Sequence, residues 1–189
     1  MIKQQLRNIY NEKRTAITHS QKEKLDDLLL IQFQKLELPL LHSLMSFWPM
    51  AGRNEINTHI ITDFIFFRNP GMQLTYPVTD FSTVEMKAII ADDDTVFQEN
   101  KYGIAEPTTG IELQANEIEA ILLPMLVFDK NGYRVGYGRG FYDRFLAKCA
   151  SDILKIGLCY FEPIEKIEDI NEFDIKMDLC VTPENIYEF

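Results

Sequence analysis

The chain has 189 residues, a formal charge of −10, and a composition that is 46% hydrophobic and 25% charged, ordinary values for a soluble globular protein with its own core. The acidic balance excludes a general binder of nucleic acid or of anionic membranes, which needs a broad basic surface. No apolar run reaches the roughly 20 residues of a membrane span, and the Met1–Arg7 start mixes charge with apolar residues where a secretory signal would carry a hydrophobic stretch. A single domain over 1–189, monomeric and cytoplasmic, is expected. The odd, widely spaced set Cys149, Cys159 and Cys180 fits reduced core thiols.

Ile2, Leu6, Ile9, Tyr10 and Ile17 recur at helical spacing and predict an amphipathic helix over 2–16. Ser20-Gln-Lys-Glu23 has capping-box form, so a second helix is predicted from Ser20 to about Glu37, ahead of Pro39. Leu40–Trp48 then reads as a buried strand and 57–67 as a helix. Further strands are predicted at Gln73–Val78, Val84–Ile90, Ile118–Pro124, Leu154–Tyr160 and Leu179–Thr182. Apolar strands alternating with helices imply an α/β fold whose largely parallel central sheet is covered on both faces. Asp92-Asp93-Asp94 is read as a solvated turn.

The richest segment is 132–144, Gly-Tyr-Arg-Val-Gly-Tyr-Gly-Arg-Gly-Phe-Tyr-Asp-Arg. Gly136, Gly138 and Gly140 allow positive φ and close approach of backbone N–H groups to an anion. Phe141, Phe145, Leu146 and Cys149 have helical spacing, which puts Gly140 near a helix N-terminus, where phosphate is attracted. Arg134 and Arg139 suit polyphosphate oxygens, and Asp143 suits a hard divalent cation. Phe141 and Tyr142 add flat faces. The alternative is a structural glycine-rich hairpin closed by a salt bridge. Neither a P-loop nor a dinucleotide fingerprint is present, because the spacing Gly136-x-Gly138-x-Gly140 matches neither.

Outside that segment the signals are weaker. Lys3 and Arg7 lie one helical turn apart, which repels unless an anion sits between them, although for this pair alone a solvated face is the stronger reading. Glu55 follows the end of a predicted strand, where ligands bind in open α/β sheets, and its carboxylate can accept from ring N–H groups; a helix-start Glu is the other reading. Lys101–Pro107 forms a turn able to present Tyr102 as a stacking face and Glu106 as an acceptor, or a plain loop. Asp174 and Asp178 serve either solubility or a metal. His19, His42 and His59 have no metal-ligand spacing and form no triad.

Taken together, Lys3-x-x-Leu-Arg7, Glu55-Ile-x-Thr58, Tyr102-Gly-Ile-x-Glu-Pro107, the run Glu119–Asp143 and Phe173-Asp174-x-Lys-x-Asp178 give a chain that resembles the 5-formyltetrahydrofolate cyclo-ligase family over essentially its whole length. The resemblance implies a single cyclo-ligase domain with a three-layer α/β/α fold. It also implies an enzyme that uses ATP and Mg²⁺ to convert 5-formyltetrahydrofolate into 5,10-methenyltetrahydrofolate, with release of ADP and phosphate. Phosphorylation of the formyl oxygen would make it a leaving group for attack by N10.

Carried over by position, the resemblance implies that Lys3 and Arg7 hold ATP phosphates, and that Arg134, Val135, Gly136, Tyr137, Gly138, Arg139, Gly140, Phe141 and Tyr142 wrap the nucleotide. Met50, Glu55, Tyr102, Phe141 and Tyr142 would bind the folate. Asp143 and Asp174 would bind Mg²⁺, with Arg139 and Asp143 acting in catalysis. Three positions depart from the family pattern: Glu119 stands where Asp is usual, Met125 where Gly is usual, and Phe141 where Tyr is usual. No Arg or Lys closely follows Tyr76-Pro77 to meet an acidic tail. Another ATP-dependent enzyme, such as a kinase, and a non-catalytic folate or nucleotide binder are the competing functions.

Overall fold

Ala120-Ile-Leu-Leu123 is apolar at every position because it forms a central strand covered on both faces, each side chain being 0% exposed. The structure, a computed structural model, describes the backbone of residues 1–189 and every side chain except that of Ala51. The chain begins with helices α1 (Lys3–Thr15) and α2 (His19–Phe33), strand β1 (Ser43–Met45) and helix α3 (Thr58–Arg68). Six strands follow: β2 (Gln73–Asp80), β3 (Glu85–Ala91), β4 (Phe97–Glu99), β5 (Ala105–Pro107), β6 (Glu112–Leu113) and β7 (Ala120–Leu123). Next come β8 (Val127–Phe128), β9 (Arg134–Val135), helix α4 (Phe141–Leu146), β10 (Leu154–Leu158), β11 (Leu179–Val181) and β12 (Ile186–Glu188).

Eight strands form one sheet in the order β12-β11-β10-β7-β1-β2-β3-β6. The pairings β11–β10, β10–β7, β7–β1 and β1–β2 are parallel, whereas β12, β3 and β6 add antiparallel edges. The expected largely parallel α/β sheet is therefore present, with antiparallel margins. β2 and β3 run antiparallel because the short 81–84 connection allows a hairpin and leaves no room for a crossover.

Alternation sorts the core into two layers. Leu44, Leu122, Ile156 and Leu158 face Leu29 and Phe33 of α2 and Ile61 and Ile65 of α3. Met45, Ile121, Leu123 and Cys180 face the opposite way, toward Phe145 and Leu146 of α4. This gives the three-layer α/β/α arrangement, each fully buried Leu or Ile contributing about 1.5–3 kcal/mol. Helix α1 lies apart from both layers, its Leu6 and Tyr10 packed on Val127 and Val135 of the β8–β9 hairpin.

Local boundaries differ from expectation for identifiable reasons. The N-cap of α2 is Thr18, whose hydroxyl accepts from the Gln21 N–H while the Gln21 side chain accepts from the Thr18 N–H. Ser20 already lies inside the first turn. The helix stops at Phe33 because Leu36 and Leu41 enter the core from irregular chain, and Pro39 disfavours helix just before it. β1 is shorter than predicted: the Leu41 N–H goes to Asn69 Oδ1 and the Phe47 carbonyl accepts from the Thr58 hydroxyl, so side chains take over from the ladder. α4 ends at Leu146, short of Cys149.

Buried ionisable groups give the fold an alkaline limit. Burial pushes the Tyr76 phenol from 10.0 to about 12 and the Cys159 thiol from 9.0 to about 12. Both values are raised in the folded state, so the stability they contribute is complete below the unfolded values and is lost as pH rises through this window. Urea unfolding near neutrality and again within the window is expected to show a falling midpoint at unchanged slope. A midpoint that stays flat to the alkaline end would disprove this.

Candidate active site

Leaving β1, the chain proceeds through α3 to β2 on one side; leaving β7, it proceeds through α4 to β10 on the other. The crevice between the carboxyl ends of β1 and β7 is thus the topological switch point of the sheet, where open α/β folds bind ligands. Residues that follow these strands converge there. A cavity of about 10 Å³ is lined by Phe47 and Glu55 after β1, Met125 and Leu126 after β7, Tyr160 after β10, and Arg14 from α1.

Glu55 is the buried carboxylate lining this cavity, 4% exposed. Its Oε2 accepts from the Met50 N–H at 2.7 Å, and its Oε1 accepts a short bond from the Tyr137 hydroxyl. Asn54 holds the turn in a left-handed conformation, φ 49°, which Asn tolerates. Its amide donates to the Arg14 and Ile17 carbonyls at 3.1 and 2.8 Å, tying the turn to the end of α1. Arg14, 5% exposed, donates to the Tyr137 oxygen at 2.5 Å and to the Met125 carbonyl at 3.5 Å, and its Nε is buried with no partner. Burial first, and then the adjacent Glu55 charge, push the Tyr137 hydroxyl far above the usual phenol range, so it is a donor at neutral pH.

Tyr137 belongs to the glycine segment, so this contact joins Glu55 to the loop at 134–141. Arg7 Nε donates to the Gly136 carbonyl at 3.0 Å, and a Cβ on Gly138 would lie 3.0 Å from the Arg7 guanidinium. A side chain there would press on the Arg7 guanidinium and displace it slightly. Gly138 and Gly140 take the expected positive φ, 91° and 73°, but Gly136 does not; it lies beside β9 and has ordinary backbone. Val135 is fully buried against α1 and is a packing residue. Arg139 is exposed and, among the described residues, makes no ion pair.

The acidic and basic candidates pair with one another. Arg134, its side chain 6% exposed, donates to Asp143 Oδ1 at 2.8 Å and to the Ile175 carbonyl at 2.7 Å. The Ile175 N–H donates to the same Asp143 oxygen at 3.1 Å, so Asp143 sits beside the 174–175 backbone. Lys3 Nζ reaches both Asp174 oxygens at 2.5–2.6 Å. Lys3, Arg134, Asp143 and Asp174 therefore gather at the base of the glycine loop. Asp178 lies elsewhere, accepting from Lys155. Among the described residues, no group of three or more His, Cys, Asp or Glu could hold a metal unaided.

Phe81, on the β2–β3 turn, brings two aromatic candidates together. Its ring is 3.9 Å from that of Tyr102 and 5.0 Å from that of Phe141. Tyr142 is half-buried in the layer under α4, and burial drives its hydroxyl well above the phenol range. Met50 is half-buried and joins the site through its N–H to Glu55. Glu106 faces Thr79, whose N–H donates to it at 2.9 Å. Glu119 lies at the opposite end of β7, accepting from the His42 N–H at 2.7 Å. Met125 fills the space above Gly157, where a Cβ would lie 2.4 Å from its methyl group.

Sequence reasoning missed Arg14, Asp26 and Phe81. Asp26 is 6% exposed and holds Lys22, the Tyr160 hydroxyl and the Asn57 N–H. Arg14 carried a readable signal: it stands two turns beyond Arg7 and continues the Leu6, Tyr10 buried stripe of α1.

The whole chain can now be set beside known proteins. The family model for the "5-formyltetrahydrofolate cyclo-ligase family" matches residues 1–183. The chain belongs to this family. The cyclo-ligase of Mycoplasma pneumoniae is 27% identical over 188 residues, covering 97% of this chain and 100% of the relative. That of Haemophilus influenzae is 30% identical over 131 residues, 64% of this chain and 68% of the relative. Among cyclo-ligase folds, the 5,10-methenyltetrahydrofolate synthetase of Mycoplasma pneumoniae superposes with a TM-score of 0.73 at 25% identity, covering 96% of this chain and 98% of the other. The Aquifex aeolicus synthetase shares the fold, with a TM-score of 0.79 at 23% identity over 100% of this chain and 93% of that one. Among the described residues, no helix is long and apolar enough to cross a membrane.

Proposed function

We propose that residues 1–189 form one cyclo-ligase domain that uses ATP and Mg²⁺ to convert 5-formyltetrahydrofolate into 5,10-methenyltetrahydrofolate, releasing ADP and phosphate. One observation carries the reading beyond family membership: Glu55, the buried carboxylate at the switch point, is bonded to Tyr137 of the glycine loop. An acceptor suited to a pterin ring and a loop suited to phosphates thus meet at one place. In this reading pterin N–H groups replace the Tyr137 hydroxyl on Glu55, so folate binding shifts a residue of the phosphate loop. Met50, Phe81, Tyr102, Phe141 and Tyr142 flank the rest of the folate.

Lys3, Arg7 and Arg139 supply cations for the polyphosphate. The two carboxylates Asp143 and Asp174 lie beside one another and face cations, a set that fits a Mg²⁺ arriving with nucleotide, since Mg²⁺ takes one or two carboxylates plus phosphate oxygens and water. When bound, that ion neutralises charge on the phosphates. Arg134 is held by Asp143 and Ile175 and braces the loop.

The reaction follows from leaving-group chemistry. The formyl oxygen attacks the γ-phosphorus as the bond to the β–γ bridging oxygen breaks, leaving its electron pair on ADP. N10 then adds to the activated carbon. The C–O bond breaks with its electrons on phosphate, and the N10 proton ends on that phosphate. The protein's part is to position two ligands and neutralise charge.

The test is to add 5-formyltetrahydrofolate to the purified protein with and without ATP and follow the near-ultraviolet band of the methenyl bridge. An ATP-dependent rise with matching ADP release is expected. ADP formed without the methenyl band would point to a different phosphoryl acceptor, and no ADP would leave a binding protein.

A further inference from the structure

Two arginines, Arg14 and Arg53, stand against the Tyr137 ring. Arg53 lies in the turn Ala51–Arg53, its N–H donating to the Met50 carbonyl at 3.0 Å. Its guanidinium stands 5.2 Å from the centroid of the Tyr137 ring, while that of Arg14 stands 5.4 Å from the same centroid. Arg14 is buried and bonded to Tyr137 and Met125; Arg53 is exposed and, among the described residues, has no carboxylate within 4.0 Å. Lys3 and Arg134 are paired with Asp174 and Asp143, whereas Arg7, Arg14, Arg139 and Arg53 have no carboxylate partner among the described residues, and of these four Arg53 is the one both exposed and set against the Tyr137 ring.

Its position adds a second argument. Arg53 lines a groove of about 610 Å³ with Gly52 and with Asn11, Glu12, Thr15 and Ala16 of α1, a volume in the range of small-molecule sites. Asn11 and Thr15 continue, at steps of four residues, the helix face that bears Lys3 and Arg7. The groove therefore extends the face that meets the glycine loop, and Arg53 is the only cation among its lining residues. Glu12, on the same wall, suits hydroxyl or amino donors of a ligand. Arg53 stands two residues before Glu55 and against Tyr137, where the folate and phosphate halves of the site adjoin.

We propose that Arg53 is a further catalytic residue, contacting the phosphoryl group as it passes from ATP to the formyl oxygen. This rests on the ATP-dependent function proposed above. As the bond from the γ-phosphorus to the bridging oxygen breaks and the bond to the formyl oxygen forms, charge spreads over the three equatorial oxygens, and a forked guanidinium can pair with two of them. Such an arginine contributes mainly in the transition state, so its loss appears in kcat more than in KM.

Arg53→Ala is expected to lower kcat by about 100-fold while the KM for 5-formyltetrahydrofolate changes less than about threefold. Arg53→Lys should recover only part of the rate, because it restores charge without the fork, and added guanidinium should partly rescue the alanine variant. A readout independent of turnover is calorimetric binding of ADP with aluminium fluoride, a mimic of the transferring group: the variant should bind it more weakly while binding ADP alone as the wild type does. Because the side chain is exposed, thermal melting should be unchanged. A kcat within about threefold of wild type, a change confined to the KM for ATP, or equal binding of the mimic would overturn the role of Arg53 and leave the proposed function standing. A wild-type protein that makes no methenyl product overturns both.

Discussion

Asp143→Asn is expected to reduce Mg²⁺-dependent turnover by at least about 100-fold, or ~2.7 kcal/mol of transition-state stabilisation. Asn keeps an oxygen for the Arg134 guanidinium and the Ile175 N–H, which Asp143 Oδ1 now accepts at 2.8 and 3.1 Å. It removes the negative charge that a hard cation requires and that offsets Arg134, whose side chain is 6% exposed. The folding cost should be about 1–3 kcal/mol, the scale of a hydrogen bond to a charged group, so the protein still folds. Measuring turnover across a Mg²⁺ titration, with thermal melting in parallel, separates the two effects. Full turnover at low Mg²⁺ would remove Asp143 from the metal site and leave it a bracket for Arg134.

The second large effect concerns the fold that carries the loop. Asp129 is 0% exposed, and its carboxylate accepts from the Asn131, Tyr133 and Ile167 N–H groups at 2.9, 3.1 and 3.0 Å. It closes the turn between β8 and β9 and pins that hairpin to the segment at 167. Asp129→Ala leaves these donors without their acceptor and is expected to cost about 3–5 kcal/mol, a large part of the stability of a domain this size. Asp129→Asn should fall between, because an amide nitrogen would face one of the donors. Equilibrium urea unfolding of the three proteins tests this, and a loss below about 1 kcal/mol for the alanine variant would contradict it. Nucleotide affinity of the surviving folded fraction should fall as well, since the hairpin leads directly into 134–140.

Much of the architecture was legible because burial on two faces leaves a plain mark. Ile118–Pro124 reads as a central strand from apolarity alone, and its core, Ala120–Leu123, is that strand. Boundaries were less legible. Ser20 and Thr18 both suit an N-cap, and the choice falls to Thr18 because α1 ends at Thr15 and the chain turns there. The short strands β8 and β9 escaped because two-residue elements carry no periodicity.

The candidate site divides in the same way. Gly138 and Gly140 were marked by residue type, since both take positive φ, and Gly138 also lies close against Arg7. Arg134 and Asp143 were marked by charge, yet no local pattern shows that they pair with each other. Tyr137 belongs to the glycine segment by its neighbours and to Glu55 by its hydroxyl.

The order of apolar strands and helices, the glycine spacing and the family motifs are properties of the chain taken locally, and the sequence by itself determined the α/β class, the loop and the family. Which charges meet depends on contacts between residues far apart in the chain, such as Lys3 with Asp174, Arg14 with Tyr137, and Tyr160 with Asp26. Only the tertiary structure decided those. Ion pairs and buried hydrogen bonds act over a few ångströms in space and leave no period along the chain.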